Sequence, residues 1–202
     1  MRAYTEHFTK TALDLLTEQI HTVWNSGKFV VTLLSLNISE AFDTVLTVQL
    51  LNILRKKEIS EWTVRWIKTF LTDCMTSLVI QEQKTALFRI NNEVFQELPF
   101  SLILFLFYNN ELLKLCCQLK EKLSAIEFAD DVNMLLYKRI TETNCKNLEQ
   151  THERCMKWAR QHEMRFALQK YELIHFIKAH MKFNMQISIY LQNTEKTSKY
   201  KC

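Results

Sequence analysis

The chain has 202 residues, of which 48% are hydrophobic and 24% charged, with a formal net charge of +4. That is enough apolar material for one globular core and too much for a disordered segment, and a net charge this small does not by itself assign a polyanionic partner. The six cysteines include no CxxC pair and no His/Cys zinc spacing, so they give no sign of a disulfide framework or zinc knuckle and read as reduced thiols.

Gly27 and Pro99 are the only residues of their kinds, where average usage would give about 14 glycines and about 10 prolines. Turns that need a positive φ must therefore be built by Asn or Asp, or be strained. Charge is unevenly spread: from Lys138 onward there are 13 Lys and Arg against 6 acids, so the C-terminal third could face an anion. The opening MRAYTEHFTK lacks an apolar signal core, and the most apolar stretch, residues 98–108, is too short to span a bilayer. A soluble intracellular protein without a membrane partner is expected.

In chain order, apolar positions at helical spacing (Leu13, Leu16, Ile20, Val23, Trp24) predict a first helix over residues 8–25, closed by Asn25-Ser26-Gly27. Residues 29–36 are β-branched and apolar on both faces, as a central strand is. Helical patterns follow at 46–57 and 61–72, the second with Trp62 and Trp66 one turn apart, which places them in the core. Residues 77–80 and 86–90 predict paired strands. A buried helix over 98–119 is opened by Pro99, tolerated in a first turn.

Residues 125–129 and 132–137 then predict a hairpin with Asp130-Asp131 at its tip. A charged amphipathic helix over 141–162 carries His152 on its polar face, a last strand covers 173–177, and residues 192–202 form a polar, disordered tail. This order gives an α+β fold, an antiparallel sheet packed by helices in a single domain over residues 1–191.

Adjacent acids at a hairpin tip repel, and a divalent cation removes that cost, so FADD (residues 128–131) between two apolar strands is a candidate hard-metal site; a solvated Asp-Asp turn is the alternative. Further motifs stand around it in order. The run LLSLNISEAFD (33–43) and FADD, with SLILFLFYN (101–109) between them and FALQKYELIHF (166–176) after, resemble the reverse transcriptases of non-LTR, LINE-like retrotransposons, especially fungal ones, from about residue 11 to 178. FADD is similar to the family's [FY]xDD motif, and LLSLNISEAFD to its strand reading LxLDIxxAFD.

The resemblance implies a polymerase palm with partial fingers and no complete thumb, catalysing RNA-directed DNA synthesis with an RNA template, a DNA primer and dNTPs. It makes Asp130 and Asp131 the catalytic acids holding Mg²⁺ or Mn²⁺. Phe42 falls where the family has an aromatic that blocks a nucleotide 2′-hydroxyl. Gln96 and Pro99 match the loop that packs on template and nucleotide, and Lys170 matches a lysine proposed to protonate the pyrophosphate. Nuclear access is implied for a retroelement, although no signal is identifiable.

The family's first-strand aspartate, which bridges both cations, is replaced here by Asn37. An amide keeps the oxygen but not the charge, so two dications lose their bridging ligand. Glu93 and Glu97 fall on the two glycines of the family's GxPQGSP loop, and Phe95 on its first proline. Glycine to glutamate, aspartate to asparagine and proline to leucine each follow from one G-to-A or C-to-T transition. The sequence therefore predicts a degenerate polymerase domain that has lost its activity. A non-catalytic nucleic-acid-binding remnant using Lys146, Arg154, Lys157, Arg160 and Arg165, or a functionless product, is the alternative.

Overall fold

The computed structural model describes residues 2–27, 29–72, 75–80, 83–89, 98–117, 123–178, 188–191, 194–197 and 199–201. In chain order these are helix α1 (Arg2–Ser26), strand β1 (Val30–Ser39), helices α2 (Thr47–Lys56) and α3 (Glu61–Leu71), and strands β2 (Met75–Thr76), β3 (Val79–Ile80), β4 (Gln83–Lys84) and β5 (Phe88–Arg89). Helix α4 (Pro99–Cys117) leads to β6 (Leu123–Phe128), β7 (Asp131–Lys138), α5 (Thr141–Gln161) and β8 (Arg165–Phe166). The chain ends with β9 (Glu172–Phe176), β10 (Ser188–Leu191), β11 (Thr194–Thr197) and β12 (Lys199–Lys201). They pack as two compact units, one from residues 1–39, 111–161 and 165–202, the other from 40–110 and 162–164.

The first unit is built on a sheet ordered β12-β9-β1-β7-β6, with β8 pairing the end of β1. All ladders within it are antiparallel except β12 on β9. β1 lies in the middle because its apolar run satisfies burial on both faces. Alternation sends Val31 and Leu33 to one side, where they join Leu135 and Ile174 against Ile20 and Val23 of α1. Thr32, Leu34 and Leu36 go to the other side, where Asn144 of α5 reaches the Thr32 hydroxyl. The stripe that α5 buries is Asn144, Leu148, Thr151, His152, Cys155 and Ala159, helical spacing that mixes polar and apolar residues. His152 is thus in the core and not on the polar face.

Two expectations are corrected here. Residues 194–197 and 199–201, expected to be disordered tail, form β11 and β12; β12 completes the otherwise open edge of β9. In the second unit the expected pairing of 77–80 with 86–90 is replaced by β3 on β4 and β2 on β5. The register slips by one residue between the two ladders, and Thr85 bonds Leu78 through both its amide and its hydroxyl at the slip.

The second unit stands on α2, α3 and the first part of α4. α2 closes with a Schellman arrangement: Ile59 N–H donates to Leu54 O at 3.2 Å and Glu58 N–H to Arg55 O at 2.9 Å. Its left-handed residue, Glu58 at φ 61°, is a glutamate where glycine is favoured. Glu40 (φ 50°), Ala129 (φ 52°) and Glu163 (φ 57°) are left-handed too, so among the described residues the positive-φ turns are made by Glu and Ala, not by Asn or Asp. Trp62 and Trp66 of α3, expected in the core, are exposed, because Val64, Ile67 and Leu71 supply the buried face.

Helix α4 has 19 residues and, among the described residues, is the one helix long and apolar enough to cross a membrane by length and composition. The 11-residue stretch read from sequence therefore understated it. Its Leu104, Phe105, Tyr108, Leu112 and Cys116 are buried, whereas Leu102, Ile103 and Leu106 are exposed.

Candidate active site

The ladder of β1 with β7 ends on Asn37, two residues before the end of β1, and backbone bonds fix that residue from two directions. β1 and β7 are in register with Asn37 opposite Asp131. Ile38 N–H donates to the Asp130 carbonyl at 2.8 Å, tying the β6–β7 tip to the end of β1, and Ala129 makes the left-handed step that turns the tip. From the other side Ala167 N–H donates to Asn37 O at 2.8 Å, beside the short ladder of Ile38 with Phe166 and Ser39 with Arg165. The topology thus brings residues 93 and 94 apart in sequence to one point.

Asn37 is 8% exposed, and its Nδ2 donates to Asp130 Oδ2 at 2.8 Å and to Asp131 Oδ1 at 2.9 Å. Carboxylates only accept, so the amide must present its NH₂ group to them. Its Oδ1 is consequently buried without a hydrogen-bond partner. The neutral side chain is a donor between two acids, satisfying them as a cation would but with only a partial charge.

That arrangement does not fit a pair of divalent cations. Only two of the three side chains carry charge, and each spends an oxygen on an N–H donor. Ligation through Asn37 Oδ1 would require the amide to turn over and give up both bonds. Among the described residues no group of three or more His, Cys, Asp or Glu is placed to hold a metal.

Lys170 is exposed on the short 3₁₀ turn Leu168–Lys170 and, among the described residues, forms no ion pair with either acid. Phe42 is 9% exposed and packs on Phe105 with ring centroids 4.9 Å apart. Pro99 opens α4 and is exposed. Gln96, with Glu93, Phe95 and Glu97, lies outside the described residues.

Behind the site lies a buried polar layer that sequence reading missed. Asn144 Nδ2 donates to Val30 O at 3.0 Å and to Thr32 Oγ1 at 2.8 Å, and the threonine hydroxyl also shares a hydrogen bond with His175 Nδ1 at 2.9 Å. His152 Nε2 meets Tyr171 Oη at 3.1 Å. Burial holds both imidazoles neutral, lowering each to about 4, and pushes the Tyr171 phenol upward. The signal available in the sequence was that Asn144, Thr151 and His152 share helical spacing with Leu148 and Cys155. A buried Sγ–Sγ contact of 3.5 Å joins Cys116 of α4 to Cys155 of α5; the hydrogen bond, then burial, raise the Cys116 thiol.

The family model for reverse transcriptase (RNA-dependent DNA polymerase) matches residues 5–200, nearly the whole chain. The chain belongs to the reverse transcriptase family. Among solved structures it is similar to telomerase from Candida tropicalis in complex with a TWJ fragment of telomeric RNA: TM-score 0.60, 14% identity, 94% of this chain and 33% of that one. Apo Candida tropicalis telomerase truncated from the C-terminal domain gives TM-score 0.60 at 14% identity, over 94% of this chain and 40% of that one. Telomerase from Candida albicans with its TWJ fragment gives 0.59 at 10% identity, with 94% and 32% covered. At such identities the likeness is one of fold: helices on a mostly antiparallel sheet of polymerase-palm type. The reverse transcriptase chain spans about a third to two-fifths of those telomerase chains. No curated protein matches it at a significant level.

Proposed function

We propose that this chain is a polymerase palm segment of non-LTR retrotransposon type, an RNA-directed DNA polymerase by descent in which nucleotidyl transfer has been disabled. The observation that carries this reading is the Asn37 amide donating to both Asp130 and Asp131. Two-metal transfer to a primer hydroxyl, with Mg²⁺ or Mn²⁺, needs carboxylates that converge on the cations. Here the central ligand is neutral and hydrogen-bonded to the acids it should join. Loss of several kcal/mol of transition-state stabilisation corresponds to a rate factor of about 10³ or more.

The left-handed glutamates support the degenerate part of the reading. Glu40, Glu58 and Glu163 hold conformations that favour glycine, and glycine to glutamate is the same single G-to-A change that turns aspartate into asparagine. Residues 1–191 are read as one palm domain. Template RNA, primer DNA and dNTP are the ancestral partners, and access to the nucleus is what such an element would need.

The test is primer extension on poly(rA)/oligo(dT) with Mg²⁺ and then Mn²⁺, comparing the unaltered chain, Asn37→Asp and Asp130→Ala. The expected result is no extension by the first and third, and a gain with Asn37→Asp. Extension by the unaltered chain that disappears in Asp130→Ala would overturn the proposal. The exposed Lys146, Lys157 and Arg160, which share one face of α5, favour a second reading as a nucleic-acid-binding remnant. Salt-dependent retention of an RNA–DNA duplex, weakened by Lys157→Glu, would distinguish it.

A further inference from the structure

Helix α3 buries Val64, Ile67 and Leu71, which leaves Trp62, Arg65, Trp66 and Thr69 on the opposite face at one-turn spacing. Trp62 is 77% exposed and Trp66 49%. Trp66 is braced from behind. Phe70 stacks on it at 5.9 Å with an interplanar angle of 18°, and Phe100 meets the two rings edge-on at 5.3 Å each. The side chain is therefore held in place while half its surface stays open, with a second, more open indole one turn before it. Exposed aromatic surface of this kind marks a binding face.

The charges around it identify the occupant. Residues 47–72, covering α2 and α3, hold five Lys and Arg (Arg55, Lys56, Lys57, Arg65, Lys68) against two acids, Glu58 and Glu61. Glu61 pairs with Arg55 at 2.9 Å and lies 3.7 Å from Arg65, and with five basic residues against two acids the segment keeps a net charge of +3. Arg65, its side chain 79% exposed, shares that face with the indoles, and an excess of basic residues beside exposed rings is complementary to a polyanion. Rings interleaved with cations suit unpaired bases, which stack on the rings while the cations follow the phosphates.

We propose that the Trp62–Arg65–Trp66 face of α3 is a stacking site for single-stranded nucleic acid. It uses none of the residues around Asn37 and does not depend on polymerase activity. Binding is sequence-tolerant, because every base offers a π-face, and it weakens as salt rises.

The test is fluorescence anisotropy of a labelled oligo(dT) 20-mer with the full chain across 50 to 300 mM salt. Trp62→Ala and Trp66→Ala are each expected to weaken binding about tenfold, and Arg65→Glu to lower the salt slope by about one. An oligomer carrying 5-bromodeoxyuridine is expected to photo-crosslink at Trp62 or Trp66, and duplex DNA to compete poorly. Because Trp66 is braced by Phe70 and Phe100, its variant could lose structure; Trp62, open to solvent, gives the clean reading. Unchanged oligomer binding in Trp62→Ala, or equal competition by duplex, overturns the proposal. So does loss of self-association in Trp62→Ala without loss of oligomer binding, which would make the face a protein contact.

Discussion

Replacing Asn37 by aspartate tests the central reading through stability, independently of catalysis. The native amide donates at 2.8 and 2.9 Å to Asp130 and Asp131; Asn37→Asp removes both bonds and sets three carboxyl groups together. Hydrogen bonds to charged groups are worth about 1.5–3 kcal/mol each, and like charges about 4 Å apart at an effective dielectric of 20 repel by about 4 kcal/mol. Protonation caps the total. Once the cost exceeds that of protonating one carboxyl at pH 7, about 3 units from its ordinary range or about 4 kcal/mol, one acid keeps its proton and donates where the amide did. The variant's extra carboxyl thus has a folded pKa above its unfolded value, so its deficit is small below about pH 4 and grows by about 1.4 kcal/mol per pH unit above it. At pH 7 in EDTA the variant should melt about 8–16 °C below the parent. Millimolar Mn²⁺ or Mg²⁺ should recover part of that, because a cation again has three acids to join. Thermal melts of both proteins from pH 4.5 to 7.5, with and without metal, measure it. A deficit that is absent, or that does not change with pH, would show that the amide does not bridge the two acids.

Three further outcomes are expected. Glu58→Gly should raise the urea midpoint by an amount equivalent to up to about 1 kcal/mol: it relieves an αL penalty of about 1–2 kcal/mol at φ 61° and incurs a smaller chain-entropy cost; a lower midpoint would argue against strain at this cap. Stability should fall as pH drops from about 6.5 to about 4, because His152 and His175 are held neutral with pKa lowered to about 4 while the unfolded imidazoles take up protons. The loss should be on the order of 3 kcal/mol per histidine, and His175→Gln should flatten the profile. Leu34→Ala, at a fully buried site, should cost about 3 kcal/mol, whereas Val48→Ala, at a side chain 72% exposed, should change the denaturation midpoint little.

The elements legible in the sequence were those whose burial matches one period. β1 announced itself because both faces are apolar, and the β6–β7 hairpin because two apolar runs flank Asp130 and Asp131. Asn37, Asp130 and Asp131, singled out by their positions in the sequence, do lie within hydrogen-bond reach. What the spacing could not give was the direction of the amide, which follows from two acceptors facing one donor group. α3 misled because both its faces carry large apolar side chains, and period alone cannot say which is inside. α5 misled in the opposite sense: a neutral, bonded His152 is as buried as a leucine, and its partner Tyr171 is 19 residues away.

On the proposed reading, the left-handed glutamates bear on how a polymerase domain that has lost its activity keeps its fold. A left-handed glutamate costs about 1–2 kcal/mol, and such costs are spread over separate turns at Glu40, Glu58 and Glu163. The apolar core of β1, β7 and β9 contains none of those substitutions, so the sheet retains its register. At Asn37 the same kind of change acts differently. An amide there carries no charge for two cations to share, and it makes two hydrogen bonds of its own to the acids. A substitution that disables the chemistry can therefore leave the apo fold as stable as before, or more so, because three converging acids without a cation would repel. Selection for folding alone would not restore the aspartate. The Asn37→Asp melts in EDTA and in Mn²⁺ measure the two sides of that trade-off on a single protein.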